Sequence, residues 1–167
     1  IDNNGQVTDI TQEDIDYILK ENENMAREAL RVLAGAYKIV DTVPDTMSTE
    51  TVEQDLIFAG LIGMIDPERT EAGAAIRRAR EAGIRTVMIT GDHAITAQAI
   101  AERLSILDPN EPNNEEHVRT GAELDNMTDE ELAKDVSNFS VYARVSPEHK
   151  VRIIKAWQAN ERTISMT

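Results

Sequence analysis

Four apolar, strand-like runs in this chain each end on a polar group and then give way to a helix or stop. LIFAGLIGMI runs into Asp66, IRTVMI into Thr90, Gly91 and Asp92, SVYA into Arg144, and TISM into Thr167. Between them lie segments with apolar residues at helical spacing: Ala72, Ala75, Ile76 and Ala79 in one, Ala97, Ile100, Ala101 and Leu104 in the next. Strands alternating with helices predict right-handed βαβ units on a parallel sheet. The carboxyl ends of such strands share one edge, and ligands bind in the crevice outside it. The four polar groups are therefore expected to converge.

A fifth group belongs at the same edge. In the helix predicted to begin near Pro147, the residues Lys150, Ile153, Ile154 and Trp157 follow the i, i+3, i+4, i+7 spacing of a buried face. An ammonium on an apolar stripe is costly unless it meets an anion. Its place in the first helical turn suits a phosphate; the alternative is a lysine that snorkels to water.

The chain has 167 residues, enough for one domain with a core or for one domain and part of another. Lys and Arg number 17 against 31 Asp and Glu, and the net charge of -14 argues against a nonspecific nucleic-acid binder. With no cysteine, neither a disulfide framework nor a thiolate metal site is possible. The opening IDNNGQVTDI lacks the features of a signal peptide. The longest apolar run, Leu56 to Ile65, is about half the roughly 20 residues of a membrane helix, so the chain reads as soluble.

Along the chain, a helix is predicted to open at Thr11, with Asp14 three residues on favouring the positive helix end. LRVLAGAYKIV alternates like a half-buried strand, with a helix continuing to Tyr37 as the competing reading. Residues 41–54, acidic and threonine-rich around Pro44, read as a connector. Then come a strand over 56–65, a helix over about 70–82, a strand over 84–90 and a helix over about 93–104. Residues 105–120, polar and rich in Pro and Asn, read as a surface loop. A short helix about Asp129 to Val136, a strand from Ser140, the helix from Pro147 and a final strand complete the pattern. His93, His117 and His149 share no metal spacing and read as solvated or capping residues. Trp157 reads as core packing, and DNMTDEELAKD lacks the spacing and glycine of an EF-hand.

In TGDHAITA, Gly91 permits a sharp turn between a strand and a helix start. Exposed amides and the helix dipole make such a corner an anion site; a plain strand–helix turn with Asp92 as N-cap is the alternative. Taken in order, IDPERTEA, VMITGDHAITAQAIA and VYARVSPEHKVRIIKAWQ resemble the phosphorylation domain of P-type cation-transporting ATPases, within the haloacid-dehalogenase-like superfamily. Upstream, MAREALRVLAGAYK is similar to the tail of the nucleotide-binding domain of the same pumps, and the whole is most like the bacterial calcium pumps.

The resemblance implies a haloacid-dehalogenase-like parallel sheet flanked by helices, with residues 1–40 as the tail of the nucleotide-binding domain, 41–55 as connector and 56–167 as an incomplete phosphorylation domain. It implies ATP and Mg2+ as cofactors and transfer of the γ-phosphoryl group to an aspartate. Thr90 matches the hydroxyl residue that hydrogen-bonds the phosphoryl group, with Gly91 beside it and Thr167 at the next strand end. Asp92 is implied in the hinge and in closing the nucleotide site, and Lys150 in neutralising charge on the phosphorylated aspartate. Arg144 is implied to face the nucleotide and Arg31 to reach its phosphates from the other domain. Asp66 and Arg69 match the hinge motif, in which Glu68 replaces the usual second proline.

No DKTG or DxDxT string occurs, so the phosphoacceptor is expected upstream of this chain, and the GDG loop whose carboxylates help hold magnesium is expected after Thr167. The expected setting is the cytoplasmic face of a membrane, with membrane segments and the remaining domains of the same pump as partners and no nucleic acid. The chain alone is expected not to turn over, and its unpaired sheet edge could join a second copy. Two other readings compete: a receiver-like signalling domain with Asp66 as phosphoacceptor, and a nucleotide-binding module without chemistry.

Overall fold

A computed structural model of the chain describes residues 5–42, 48–65 and 69–166. Contacts divide the chain into two units, one of Ile1–Ala26 with Leu30–Ile65, the other of Arg27–Ala29 with Asp66–Thr167. Asp66, Glu68 and Thr167, which the sequence marks for the hinge and a strand end, lie outside the described residues.

The first unit opens with helix α1, Gln12–Arg27. The helix opens after Thr11, as the sequence predicts, and its cap is reciprocal: the Thr11 N–H donates to Asp14 Oδ2 at 2.9 Å, and the Asp14 N–H donates to Thr11 Oγ1 at 3.2 Å. Strand β1, Arg31–Tyr37, follows, so the alternating pattern decides against a continued helix. After a short helix α2, Thr49–Val52, inside the connector, strand β2 runs over Ile57–Met64.

Here the structure corrects the sequence reading. β2 pairs antiparallel with β1, Leu33 opposite Ile62 and Arg31 opposite Met64, with a bulge between Gly35 and Ala36. It takes no place in the parallel sheet. A two-residue alternation specifies a strand and its faces, but not its partner or direction; the 19 residues between Tyr37 and Ile57 are long enough for an antiparallel return.

The second unit carries a three-stranded parallel sheet in the order β3-β5-β4. Its elements are α3 (Ala72–Glu81), β3 (Met88–Ile89), α4 (Ala94–Arg103), β4 (Val118–Thr120), α5 (Gly121–Asp125), α6 (Asp129–Asp135), β5 (Val141–Ala143) and α7 (Pro147–Ala159). The middle strand β5 is fully buried, and its side chains alternate between two cores. Tyr142 packs with Leu124, Leu132, Val136, Phe139 and Ile153 on one face. Val141 and Ala143 pack with Ala97, Ala101, Leu107 and Val118 on the other. Each large apolar side chain removed from water in this way contributes about 1.5–3 kcal/mol.

Two further expectations change. Residues 105–120 are not a plain surface loop: they contain a 3-10 turn, Asn114–His117, and then β4. Buried Asn114 anchors the excursion, its Nδ2 donating to Glu102 Oε1 at 3.0 Å and to the Asp108 carbonyl at 2.7 Å. Conversely, TISM forms no strand. Three residues of sheet, VRT, carry too little alternation to signal a strand, whereas an apolar TISM needs a neighbouring strand to hydrogen-bond before its propensity counts.

Candidate functional site

Thr90 stands one step past β3, and its N–H donates to the Tyr142 carbonyl at 2.9 Å, so pairing with β5 carries it to the carboxyl edge of the sheet. There the chain turns through Gly91 and Asp92 into α4. The Thr90 hydroxyl donates to Asp92 Oδ2 at 2.6 Å and accepts the Asp92 N–H at 3.1 Å, which fixes the corner as a small polar loop. Gly91 and Asp92 are exposed, and no atom lies within 4 Å of where a Cβ on Gly91 would stand. The loop is open to a ligand.

The next strand end meets this corner directly. The Arg144 N–H donates to the Asp92 carbonyl at 3.0 Å, and the Val145 N–H to the Thr90 carbonyl at 3.4 Å. Arg144 takes φ +50, the left-handed region that costs a non-glycine residue about 1–2 kcal/mol. Such a conformation persists where the surroundings hold it, and it clusters at functional edges.

From Ser146 the chain enters α7 with Pro147 in the first turn, where its missing N–H costs nothing. Ser146 Oγ accepts the His149 N–H at 3.4 Å, and His149 Nδ1 accepts the Ser146 N–H at 2.9 Å. The Lys150 N–H then donates to the Ser146 carbonyl at 3.2 Å. The Lys150 residue is half-buried, and its ammonium has no hydrogen bond or ion pair among the described residues. On the same stripe Ile153 is buried, and Ile154 and Trp157 are half-buried.

Of the residues singled out from the sequence, Thr90, Asp92 and Arg144 are joined by hydrogen bonds, Gly91 lies between them, and Lys150 stands in the helical turn that leaves the same edge. Arg69 is exposed ahead of α3, its carbonyl accepting the Ala72 N–H at 2.9 Å. Arg31 opens β1 in the hairpin unit.

Sequence reasoning missed the support beneath this edge. His149 Nε2 lies 2.8 Å from Asp125 Oδ1, linking α7 to the end of α5. A Cβ on Gly121 would stand 2.4 Å from the Arg144 carbonyl oxygen and 2.9 Å from His149 Cε1, so α5 approaches the Arg144 turn as only glycine allows. The sequence did carry one signal: Thr120 and Thr128 each precede a glutamate by three residues, and both form capping boxes, at α5 and α6. Burial pushes the Glu123 carboxyl up, but bonds from the Thr120 hydroxyl and N–H, with the charge of Arg119, hold it below the ordinary glutamate value. Bonds from the Thr128 N–H and hydroxyl likewise hold Glu131 low.

Exposed backbone at a glycine corner ahead of a helix is the kind of surface that accepts an anion. For magnesium the fit is incomplete, since no cluster of three or more His, Asp or Glu is gathered among the described residues. No described helix is long and apolar enough to cross a membrane.

Residues 1–71 match the family described as P-type ATPase, cytoplasmic domain N. Calcium-transporting ATPase 1 of Bacillus cereus is 46% identical over 164 residues, 98% of this chain and 18% of that protein. Calcium-transporting ATPase 1 of Lactococcus lactis is 45% identical over 163 residues, again 98% of this chain and 18% of the relative. The sodium/potassium exporting P-type ATPase cta3 of Schizosaccharomyces pombe is 37% identical over 164 residues, 95% of this chain and 16% of that protein. These matches place the chain among the P-type cation-transporting ATPases. Within them its similarity is greater to the two calcium-transporting relatives than to the sodium/potassium exporter, and the chain spans about a fifth of the length of the relatives it matches.

Proposed function

We propose that the chain is a catalytic segment from the cytoplasmic part of an ATP-driven calcium pump. On this reading the hairpin unit ends a nucleotide-binding domain, the chain crosses a hinge after Ile65, and the parallel-sheet unit is a phosphorylation domain of the haloacid-dehalogenase-like kind. An aspartate outside this chain attacks the γ-phosphorus of ATP. The bond from that phosphorus to the bridging oxygen breaks, and ADP leaves.

The roles of the residues follow from the charge that this transfer spreads over the phosphoryl oxygens. Such chemistry asks the protein chiefly for positioning and charge neutralisation. The Thr90 hydroxyl and the amides after Gly91 donate to a phosphoryl oxygen, Lys150 supplies a positive charge, and Asp92 holds the Thr90 hydroxyl in place until the phosphate arrives. Arg144, Arg31 and Arg69 serve the nucleotide and the hinge, with Asp66 and Thr167 at the ends of the two outlying apolar runs. Magnesium, when bound, would neutralise phosphate charge, and its ligands come from elsewhere in the pump.

The observation that carries this reading is the pair of backbone bonds from Arg144 to Asp92 and from Val145 to Thr90, at 3.0 and 3.4 Å, which join the threonine corner to the approach of the lysine helix. The calcium assignment is supported by 46% identity to a calcium-transporting relative against 37% to a sodium/potassium exporter. Removing one preorganised donor from developing negative charge costs about 3 kcal/mol, or ~100-fold. Lys150→Ala in the intact pump is therefore expected to slow phosphoenzyme formation from ATP by about that factor. An unchanged rate would remove Lys150 from the site, and sustained ATP hydrolysis by the chain alone would contradict an external phosphoacceptor.

A further inference from the structure

The His149 imidazole spends both nitrogens on structure. A backbone N–H can only donate, so the 2.9 Å contact from the Ser146 N–H makes Nδ1 an acceptor. The proton of the neutral ring must then sit on Nε2, which lies 2.8 Å from Asp125 Oδ1 and donates to it. The His149 side chain is 13% exposed and the Asp125 side chain 67%, so the pair is anchored at the buried ring.

This ring stands between two features of the candidate site. On one side is the cap of α7, whose next residue is Lys150. On the other is Gly121, where a Cβ would come within 2.9 Å of the ring and 2.4 Å of the Arg144 carbonyl. A lysine on a four-carbon stem is flexible, and its charge is useful to phosphoryl transfer only if the helical turn beneath it is fixed. A shift of about 1 Å is enough to cost a reaction ~100-fold.

We propose that His149, oriented by Asp125, is a positioning residue that fixes the first turn of α7 and thereby the reach of Lys150 towards the Thr90–Asp92 corner. The proposal rests on the reading of Lys150 given above, and it adds that the neutral Nε2–H form of His149 is required.

The test compares variants of the intact pump for the rate of phosphoenzyme formation at saturating ATP and for the ATP concentration giving half the maximal rate. His149→Ala should slow the reaction by about 10-fold with half-saturation unchanged, since a partial shift costs less than the loss of the lysine. His149→Asn, whose Oδ1 can accept the Ser146 N–H, should recover most of the loss, and Asp125→Asn, still an acceptor, should be nearly silent where Asp125→Ala is not. In a Lys150→Ala background His149→Ala should add less than about twofold, because residues acting as a unit are not additive.

A full 10-fold effect in both backgrounds would reduce His149 to a general structural role and overturn the proposal. So would an unchanged rate in His149→Ala beside a slowed Lys150→Ala, whereas an unchanged Lys150→Ala would overturn the site reading itself. A readout independent of activity and of variant folding is the nitrogen-15 spectrum of His149 in the unmutated chain. A non-protonated Nδ1 and a protonated Nε2 are expected; the opposite tautomer would end the proposal.

Discussion

The backbone N–H of Arg144 donates to the carbonyl oxygen of Asp92 at 3.0 Å. The residue that closes the middle strand of the parallel sheet is thereby tied to the loop that leaves its neighbour, and Arg144 adopts φ +50 in doing so. Two loops that are 52 residues apart in sequence act as one rim.

Gly121 is expected to be intolerant of any side chain. A methyl there would lie 2.4 Å from the Arg144 carbonyl, a backbone atom that cannot swing away as a side chain can. Overpacking of this kind costs about 1–3 kcal/mol. Gly121→Ala should lower the urea midpoint of the chain accordingly, and an unchanged midpoint would show that α5 does not press on the Arg144 turn.

Tyr142 presents the opposite case. Its hydroxyl is buried without a hydrogen-bond partner among the described residues, and burial pushes its pKa well above the usual tyrosine value, with the charges of Arg85 and Arg119 pulling the other way. The ring itself meets Phe139 edge to face at 6.2 Å, a contact that phenylalanine would keep. Tyr142→Phe is expected to leave stability unchanged or raise it by up to about 1 kcal/mol. A loss of that size in a urea titration would mean the hydroxyl has a partner.

Acid should weaken the second unit through its capping boxes. The Glu123 and Glu131 carboxyls sit below their ordinary value of 4.5 in the folded chain. A depressed folded value means that the unfolded chain binds more protons, so the stability they contribute is present above the unfolded value and is lost as pH falls through the folded ones. Glu123→Gln, which keeps an oxygen for the Thr120 N–H and hydroxyl, should lose less stability than the unmutated chain when acidified from about pH 7 to below these values. Parallel losses in the two proteins would exclude Glu123 from the acid response.

What the sequence determined by itself was local: where helices and strands start and which faces they bury. Thr11 with Asp14 marked the start of α1, Pro147 the start of α7, and the alternation from Leu30 to Tyr37 marked β1, because caps, proline and side-chain period act within a few residues. The threonine-glycine-aspartate corner and the lysine were legible for the same reason. Partnership was decided only in three dimensions. β2 reads the same whether it lies parallel in one sheet or antiparallel against β1, since alternation records burial and not direction. β4, at Val118–Thr120, is too short to show a period and is a strand only because β5 pairs with it. The bridge from Asp125 through His149 to Ser146 joins α5 to the turn of α7 across 24 residues. No spacing rule reaches that far, because hydrogen bonds between elements depend on how the helices pack, and packing is a property of the whole core.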